Sequence, residues 1–222
     1  MTDSPSSEAP ESIPEPNCHL CPRLAGFRLA NRKAHPAWYN APVASFGAID
    51  ARFLVVGLAP GFKGANRTGR PFTGDYAGDL LYAGLGKFGF SGGTYGARPD
   101  DGLCLHDCRI TNAVRCVPPG NKPSGAETAT CRPFLEAEIA AMSNLHLLIA
   151  LGKVAHDAVI KTFALKLKDH PFGHGAIHTL PGGLVLADSY HCSRYNTQTR
   201  RLTEAMFFEV LATIRAILDD DR

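Results

Sequence analysis

The chain has 222 residues, of which 45% are hydrophobic and 20% are charged, and its formal net charge is +2. This length and composition predict one sizeable globular domain and leave little room for a second. So small a net charge excludes a molecule that is basic overall, so any surface for nucleic acid must be a local patch. No apolar run approaches the roughly 20 residues that span a bilayer, and we expect no membrane contact.

The first sixteen residues, MTDSPSSEAPESIPEP, are acidic and rich in Pro and Ser. Such a composition predicts a disordered tail, followed by a single domain over residues 17–222. The segment lacks the basic and then apolar start of a signal peptide. We therefore expect a cytoplasmic protein whose cysteines are metal ligands or buried thiols rather than disulfides.

Strands alternate with helices after the tail. The predicted strands cover residues 53–58, 110–115, 145–152 and 184–188, and the predicted helices cover 75–88, 127–142, 154–163 and 199–218. This alternation predicts a three-layer α/β/α fold around a central four-stranded parallel sheet. Ligands of such sheets bind beyond the carboxyl ends of the strands, so the segments after the first, second and fourth strands should meet there.

Four of the seven cysteines form two pairs that could hold one metal centre. Two residues separate Cys18 from Cys21, and Cys116 and Cys131 supply the second pair. Four thiolates fit either tetrahedral zinc or a [4Fe–4S] cluster. A looser rival pair, which we interpret as buried thiols, consists of Cys104 and Cys108.

Two loops carry residue types that suit a nucleic acid. The glycine-rich loop of residues 59–74 contains Arg67 and Arg70, whose charge suits phosphate. It lacks the Gly-Lys-Ser/Thr ending of a P-loop, and an ordinary surface loop is the alternative. The loop after the fourth strand combines polar, basic and aromatic residues that suit phosphate contacts and base stacking: Ser193, Arg194, Tyr195 and Asn196.

Four segments together resemble the uracil-DNA glycosylase superfamily: residues 57–61 (GLAPG), 69–75 (GRPFTGD), 115–121 (RCVPPGN) and 189–191 (SYH). The similarity is strongest to its iron–sulfur branches, and within them to the type 5 enzymes. The resemblance implies a monomeric enzyme of base excision repair that flips uracil, and other deaminated bases such as hypoxanthine, out of DNA and hydrolyses the N-glycosidic bond.

The resemblance also implies individual roles. Phe72 would stack on the flipped base, Asn112 would recognise its edge, and His191 would lie beside the uracil carbonyl. Asp75 and Asn121 match polar residues implicated in catalysis. A [4Fe–4S] cluster, with zinc as the alternative, would be held by Cys18, Cys21, Cys116 and Cys131. The loop that contacts DNA would include Asn196.

Two positions depart from the superfamily pattern. Gly61 stands where many members carry an acidic or amide residue that positions water, which leaves the water-activating group open; Asp75, with Asn121 beside it, is the group expected to orient the water. Cys192 replaces a common proline and is not expected to act as a nucleophile. Asp75 also precedes a predicted helix, so a purely structural N-cap is the alternative for it. A rival function is a non-catalytic DNA-binding module, held together by a metal centre, that binds lesions without cutting.

Overall fold

A five-stranded sheet forms the centre of the protein in this computed structural model, which describes residues 13–220. The strands are β1 (Phe53–Gly57), β2 (Ser91–Gly92), β3 (Cys104–Leu105), β4 (Cys108–Asn112), β5 (Leu147–Leu151), β6 (Ile177–Thr179) and β7 (Val185–Ser189). The order in the sheet is β4-β1-β5-β7-β6. In this order β4, β1, β5 and β7 run parallel to one another, while β6 pairs antiparallel with β7. The predicted α/β fold is confirmed, but the sheet has five strands rather than four.

Helices cover both faces of the sheet. They are α1 (Pro22–Ala34), α2 (Ala65–Thr68), α3 (Tyr76–Lys87), α4 (Gly125–Ala141), α5 (Lys153–Thr162), α6 (Arg194–Gln198) and α7 (Glu204–Asp220). Phe53 and Val55 of β1 join the apolar core formed with α3 and α7. Leu54 and Val56 point to the opposite core, formed with α4 and α5. This burial on both faces explains why β1 is a continuous apolar run.

Several element boundaries differ from the sequence prediction. Strand β4 begins at Cys108 and ends at Asn112, whereas residues 110–115 were predicted. The predicted helix 199–218 begins only at Glu204 of α7, because residues 199–203 form turns, and the short α6, which Ser193 caps, precedes them and was not predicted. Helix α1, helix α2 in the glycine-rich loop and the small β2–β3 ribbon were not predicted.

The predicted tail is described only in part, since residues 1–12 lie outside the described residues. Residues 13–16, which the prediction included in the tail, contact the fold: Pro14 is buried, and Arg32 donates a hydrogen bond to the carbonyl of Pro16 at 2.9 Å. Within the described range, every helix is too short or too polar to traverse a bilayer.

Candidate active site

A pocket of about 430 Å³ opens at the carboxyl ends of β1, β4 and β7. Its wall combines residues 58–61 after β1, Asn112 at the end of β4, and His191 after β7. The prediction that three separate segments meet at one edge of the sheet is therefore confirmed. Phe72 and His191 both line this pocket, with ring centroids 6.0 Å apart.

Phe72 is held in an unusual backbone conformation. Its φ of 51° lies in the left-handed region, which is costly for a bulky residue. Tyr95 secures it by donating a hydrogen bond to its carbonyl at 3.1 Å. A methyl group at Gly57 would overlap both the Phe72 ring and the Asn112 carboxamide, so Gly57 lets these two groups approach the end of β1.

Asn112 offers a polar group that the protein itself does not satisfy. The residue is 3% exposed, and among the described residues its Oδ1 has no hydrogen-bond partner. A buried carboxamide oxygen without a partner costs about 1–3 kcal/mol. Its position in the pocket wall makes it available to a ligand.

Asp75 uses its two carboxylate oxygens differently. Oδ1 accepts a hydrogen bond from the backbone N–H of Ala77 at 3.2 Å, so Asp75 caps α3. Oδ2 fills the space that a side chain at Gly61 or Gly64 would need. Burial raises the pKa of Asp75, although hydrogen bonds from Ala77 and Gly78 partly oppose the shift. The cap and a role in the pocket are thus compatible.

His191 lines the pocket as a neutral imidazole. Burial lowers its pKa to about 4, so the ring is uncharged near pH 7. Asn196 donates a hydrogen bond to the His191 carbonyl at 2.8 Å. Asn196 borders a neighbouring cavity rather than this pocket, and its amide is engaged behind the His191 backbone.

The rim of the pocket carries polar and basic groups. Ser193 and Arg194 line it, and the Arg194 guanidinium lies 5.3 Å from the ring centroid of Tyr76. Tyr195 is 71% exposed beside them. Arg67 is exposed on α2, and Asn121 is an exposed residue of the pocket wall with a φ of 57°. These positions agree with a surface that could receive DNA.

Arg70 is a correction to the predicted phosphate contacts. Its guanidinium is buried in a two-pronged ion pair with Asp101, with distances of 2.8 and 2.7 Å. It also lies over the rings of Phe46 and Tyr82. Arg70 is therefore a structural residue, and its partner 31 positions away could not be identified from the sequence.

The four predicted ligand cysteines lie around one small cavity beneath α1, Cys18 and Cys21 from the N-terminal segment and Cys116 and Cys131 from the core. The rival thiols lie elsewhere: Cys108 is buried in β4 as expected, whereas Cys104 is exposed on β3, so its interpretation as a buried thiol is wrong. Cys192 is fully buried, and burial raises its pKa to about 12, so it is no nucleophile.

Sequence reasoning missed the hydrogen bonds that surround these cysteines. Arg28, which is 3% exposed, donates to the sulfur of Cys116 at 3.4 Å. The backbone N–H of Arg115 donates to the sulfur of Cys131 at the same distance. Burial raises the pKa of Cys21 to about 11, with a contribution from Cys131. Thiolates in this environment need a nearby cation, as a metal centre provides.

Comparison with known proteins gives one consistent match. A family model described as the uracil DNA glycosylase superfamily matches residues 44–215. A type-5 uracil-DNA glycosylase of Thermus thermophilus is 46% identical over 200 residues, covering 87% of this chain and 90% of the relative. A type-5 uracil-DNA glycosylase of Mycobacterium leprae is 42% identical over 90% of this chain and 93% of its own length. A type-4 uracil-DNA glycosylase of Saccharolobus solfataricus is 29% identical over 74% of this chain and 72% of its own length.

Proposed function

The chain belongs to the uracil DNA glycosylase superfamily, and we propose that it is a type 5 uracil-DNA glycosylase, which removes uracil from DNA in base excision repair. The observation that carries this function is the convergence of Phe72, Asn112, Asp75 and His191 on one pocket at the sheet edge. All of these groups come from one chain, which supports action as a monomer. Its proposed location is the cytoplasm.

The base enters this pocket after it leaves the DNA stack. The Phe72 ring supplies a stacking surface, and the buried Asn112 carboxamide hydrogen-bonds to the edge of the base. The neutral His191 donates a hydrogen bond to the base oxygen as negative charge develops there. Its low pKa supports this role, because a neutral ring carries one N–H and leaves the departing base as the anion.

Water attacks the sugar while positive charge develops on it. Asp75 is the proposed group that orients this water, since its Oδ2 lies beside Gly61 at the pocket wall. Asn121 borders the same pocket and assists from the exposed side. Arg67, Ser193, Arg194 and Tyr195 contact the flanking DNA, and Asn196 acts indirectly by holding the His191 backbone.

A duplex containing a single uracil tests this function. Incubation with the protein followed by alkali should cleave the labelled strand at the uracil, because alkali breaks abasic sites. Retention of the duplex without cleavage would instead support a lesion-binding module, and an identical duplex with thymine is the control.

The four cysteines fit a [4Fe–4S] cluster better than zinc. Zinc bound to four thiolates at about 2.3 Å would bring the sulfur atoms to about 3.8 Å from one another. Among the described residues, no three of these sulfur atoms lie within 4.8 Å of each other, which supports the larger centre. Its contribution is to folding, because binding tethers the segment before α1 to Cys116 and Cys131.

Iron and sulfide analysis of protein purified without oxygen tests the cluster. Visible absorption and about four iron atoms per chain are expected. Bound zinc and a colourless protein would contradict the proposal.

A broad choice of deaminated bases, including hypoxanthine, is also proposed. Gly61 contributes no side chain to the pocket, and the neighbouring Leu58, Ala59 and Pro60 are apolar. Few groups are therefore available to reject a different base. A hypoxanthine duplex in the same assay should be cleaved, while its complete resistance would restrict the enzyme to uracil.

A further inference from the structure

The backbone that carries His191 rests on a second histidine outside the pocket. The backbone N–H of Tyr190 donates a hydrogen bond to Nδ1 of His174 at 3.2 Å. The two rings stack with centroids 5.0 Å apart. The guanidinium of Arg201 also lies 4.6 Å from the ring centroid of Tyr190. His174 thus contacts both the backbone and the side chain of the residue before His191.

The contacts of His174 define its protonation state. An amide N–H can only donate, so Nδ1 of His174 must lack a hydrogen to accept from Tyr190. The Ser189 hydroxyl lies 3.4 Å from the same nitrogen and itself donates to the Tyr190 carbonyl at 2.9 Å. The neutral tautomer with its hydrogen on Nε2 accepts from the Tyr190 N–H, whereas a ring protonated at Nδ1 would lose that bond and donate to Ser189 Oγ instead.

We propose that His174 is a positioning residue, which fixes Tyr190 and hence His191 only while its own ring is neutral. This inference rests on the proposed glycosylase function. His174 does not line the active-site pocket, so its effect must pass through the backbone. A displacement of about 1 Å at a reacting group costs on the order of 100-fold in rate.

A buried ion pair supports the segment that carries His174. Asp188 is fully buried and accepts hydrogen bonds from His156 Nδ1 at 2.8 Å, His178 Nε2 at 3.2 Å and the Gly173 N–H at 3.4 Å. Nε2 of His156 lies 2.9 Å from the His170 carbonyl. Both partners of His156 are acceptors, so its ring must donate from both nitrogens and carry a positive charge.

The hydrogen bonds around Tyr190 and Asp188 therefore require a neutral His174 and a charged His156. Burial lowers the pKa of His174 below 6.5, although the backbone of Met206 and the nearby Glu209 on α7 partly oppose this shift. As the pH falls through the pKa of His174, its ring gains a proton and the Tyr190 bond is lost. The proposal thus predicts that acid weakens the support of His191.

Two variants separate the hydrogen bond from the titration. In His174→Asn, the carboxamide oxygen occupies a position similar to Nδ1 and accepts from Tyr190 at every pH. In His174→Ala, the acceptor is removed. Single-turnover uracil release and DNA affinity are measured for both variants and the wild type in a pH series that runs from pH 7.5 down through the midpoint at which the wild-type Tyr190 amide signal titrates.

At pH 7.5, His174→Asn should stay within about threefold of the wild-type rate, and His174→Ala should be at least about tenfold slower with unchanged DNA affinity. The rate ratio of His174→Asn to wild type should rise as the pH falls through the midpoint at which the wild-type Tyr190 amide titrates. Asp75 and His191 titrate in both proteins, so their effects cancel in this ratio. A wild-type rate in His174→Ala, or a ratio that does not change with pH, would overturn the proposal.

The backbone amide signal of Tyr190 in NMR supplies a readout that does not need activity. It should titrate in the wild type and remain constant in His174→Asn. If the wild type releases no uracil, the proposed function fails, and this titration alone decides the role of His174: an amide signal that titrates alike in both proteins refutes it. If His174→Ala does not fold, the pH-dependent ratio and the amide signal remain decisive.

Discussion

Replacing Asp75 with asparagine separates the two functions of its carboxylate. Asparagine ranks with aspartate as an N-cap and can still accept from the Ala77 N–H through Oδ1. The free energy of unfolding should therefore change by less than about 0.5 kcal/mol. The other oxygen becomes an NH₂ group, which donates instead of accepting and so cannot orient the attacking water.

Loss of such a group costs on the order of 100- to 10,000-fold in rate. We expect uracil release by Asp75→Asn to fall at least tenfold, which corresponds to about 1.4 kcal/mol of transition-state stabilisation. Single-turnover cleavage of a uracil duplex and urea unfolding measure the two effects. Asp79→Asn is the matched control, because Asp79 is exposed in the same helical turn and lies outside the pocket. Unchanged release by Asp75→Asn would remove Asp75 from the mechanism.

Three further predictions concern stability and DNA binding. Arg70→Gln should destabilise the fold by about 3–5 kcal/mol in urea unfolding, because it leaves the buried Asp101 carboxylate unpaired. Arg194→Gln should instead reduce the salt dependence of DNA binding by about one phosphate contact. A stable Arg70→Gln with weaker salt dependence, or a destabilised Arg194→Gln with unchanged salt dependence, would refute these roles. Burial lowers the pKa of His156, but the bond to Asp188 more than offsets this and raises the pKa overall. The stabilisation from this ion pair is therefore complete below pH 6.5 and is lost as the pH rises through the raised pKa. Asp188→Asn should abolish this pH dependence of the unfolding free energy, and an identical pH dependence in the variant would contradict the ion pair. Cys21→Ala should lose iron and melt at a lower temperature, and an unchanged iron content would exclude Cys21 as a ligand.

The convergence of the catalytic segments was predictable because it depends on local signals. Continuous apolar runs such as β1 identify buried parallel strands, and the rule that ligands bind at their carboxyl ends places the following loops together. In the structure the rings of Phe72 and His191, which the family resemblance had assigned to one pocket, lie 6.0 Å apart. The grouping of the four cysteines followed in the same way from their spacing and the chemistry of thiolates.

The errors come from contacts between distant residues. Strand β4 ends at Asn112, earlier than predicted, and the Arg115 side chain that follows pairs with the buried Glu138 on α4, a partner that the local pattern does not reveal. Arg70 is basic and lies in a glycine-rich loop, and only the position of Asp101 shows that its charge is already neutralised. Periodicity within a segment carries no information about such partners.

The carboxylate of Asp75 explains how a loop with glycine at position 61 can still present an acid to the pocket. A side chain at Gly61 or Gly64 would occupy the space that Oδ2 now fills. The two glycines and the acid at the start of α3 are therefore interdependent, although α2 and the Phe72 turn separate them in the chain. In the sequence, glycine at position 61 suggests that an acidic group is missing from the loop. In the folded loop the Asp75 carboxylate reaches the same space from the cap of α3, and the hydrogen bond to its Oδ1 fixes its orientation.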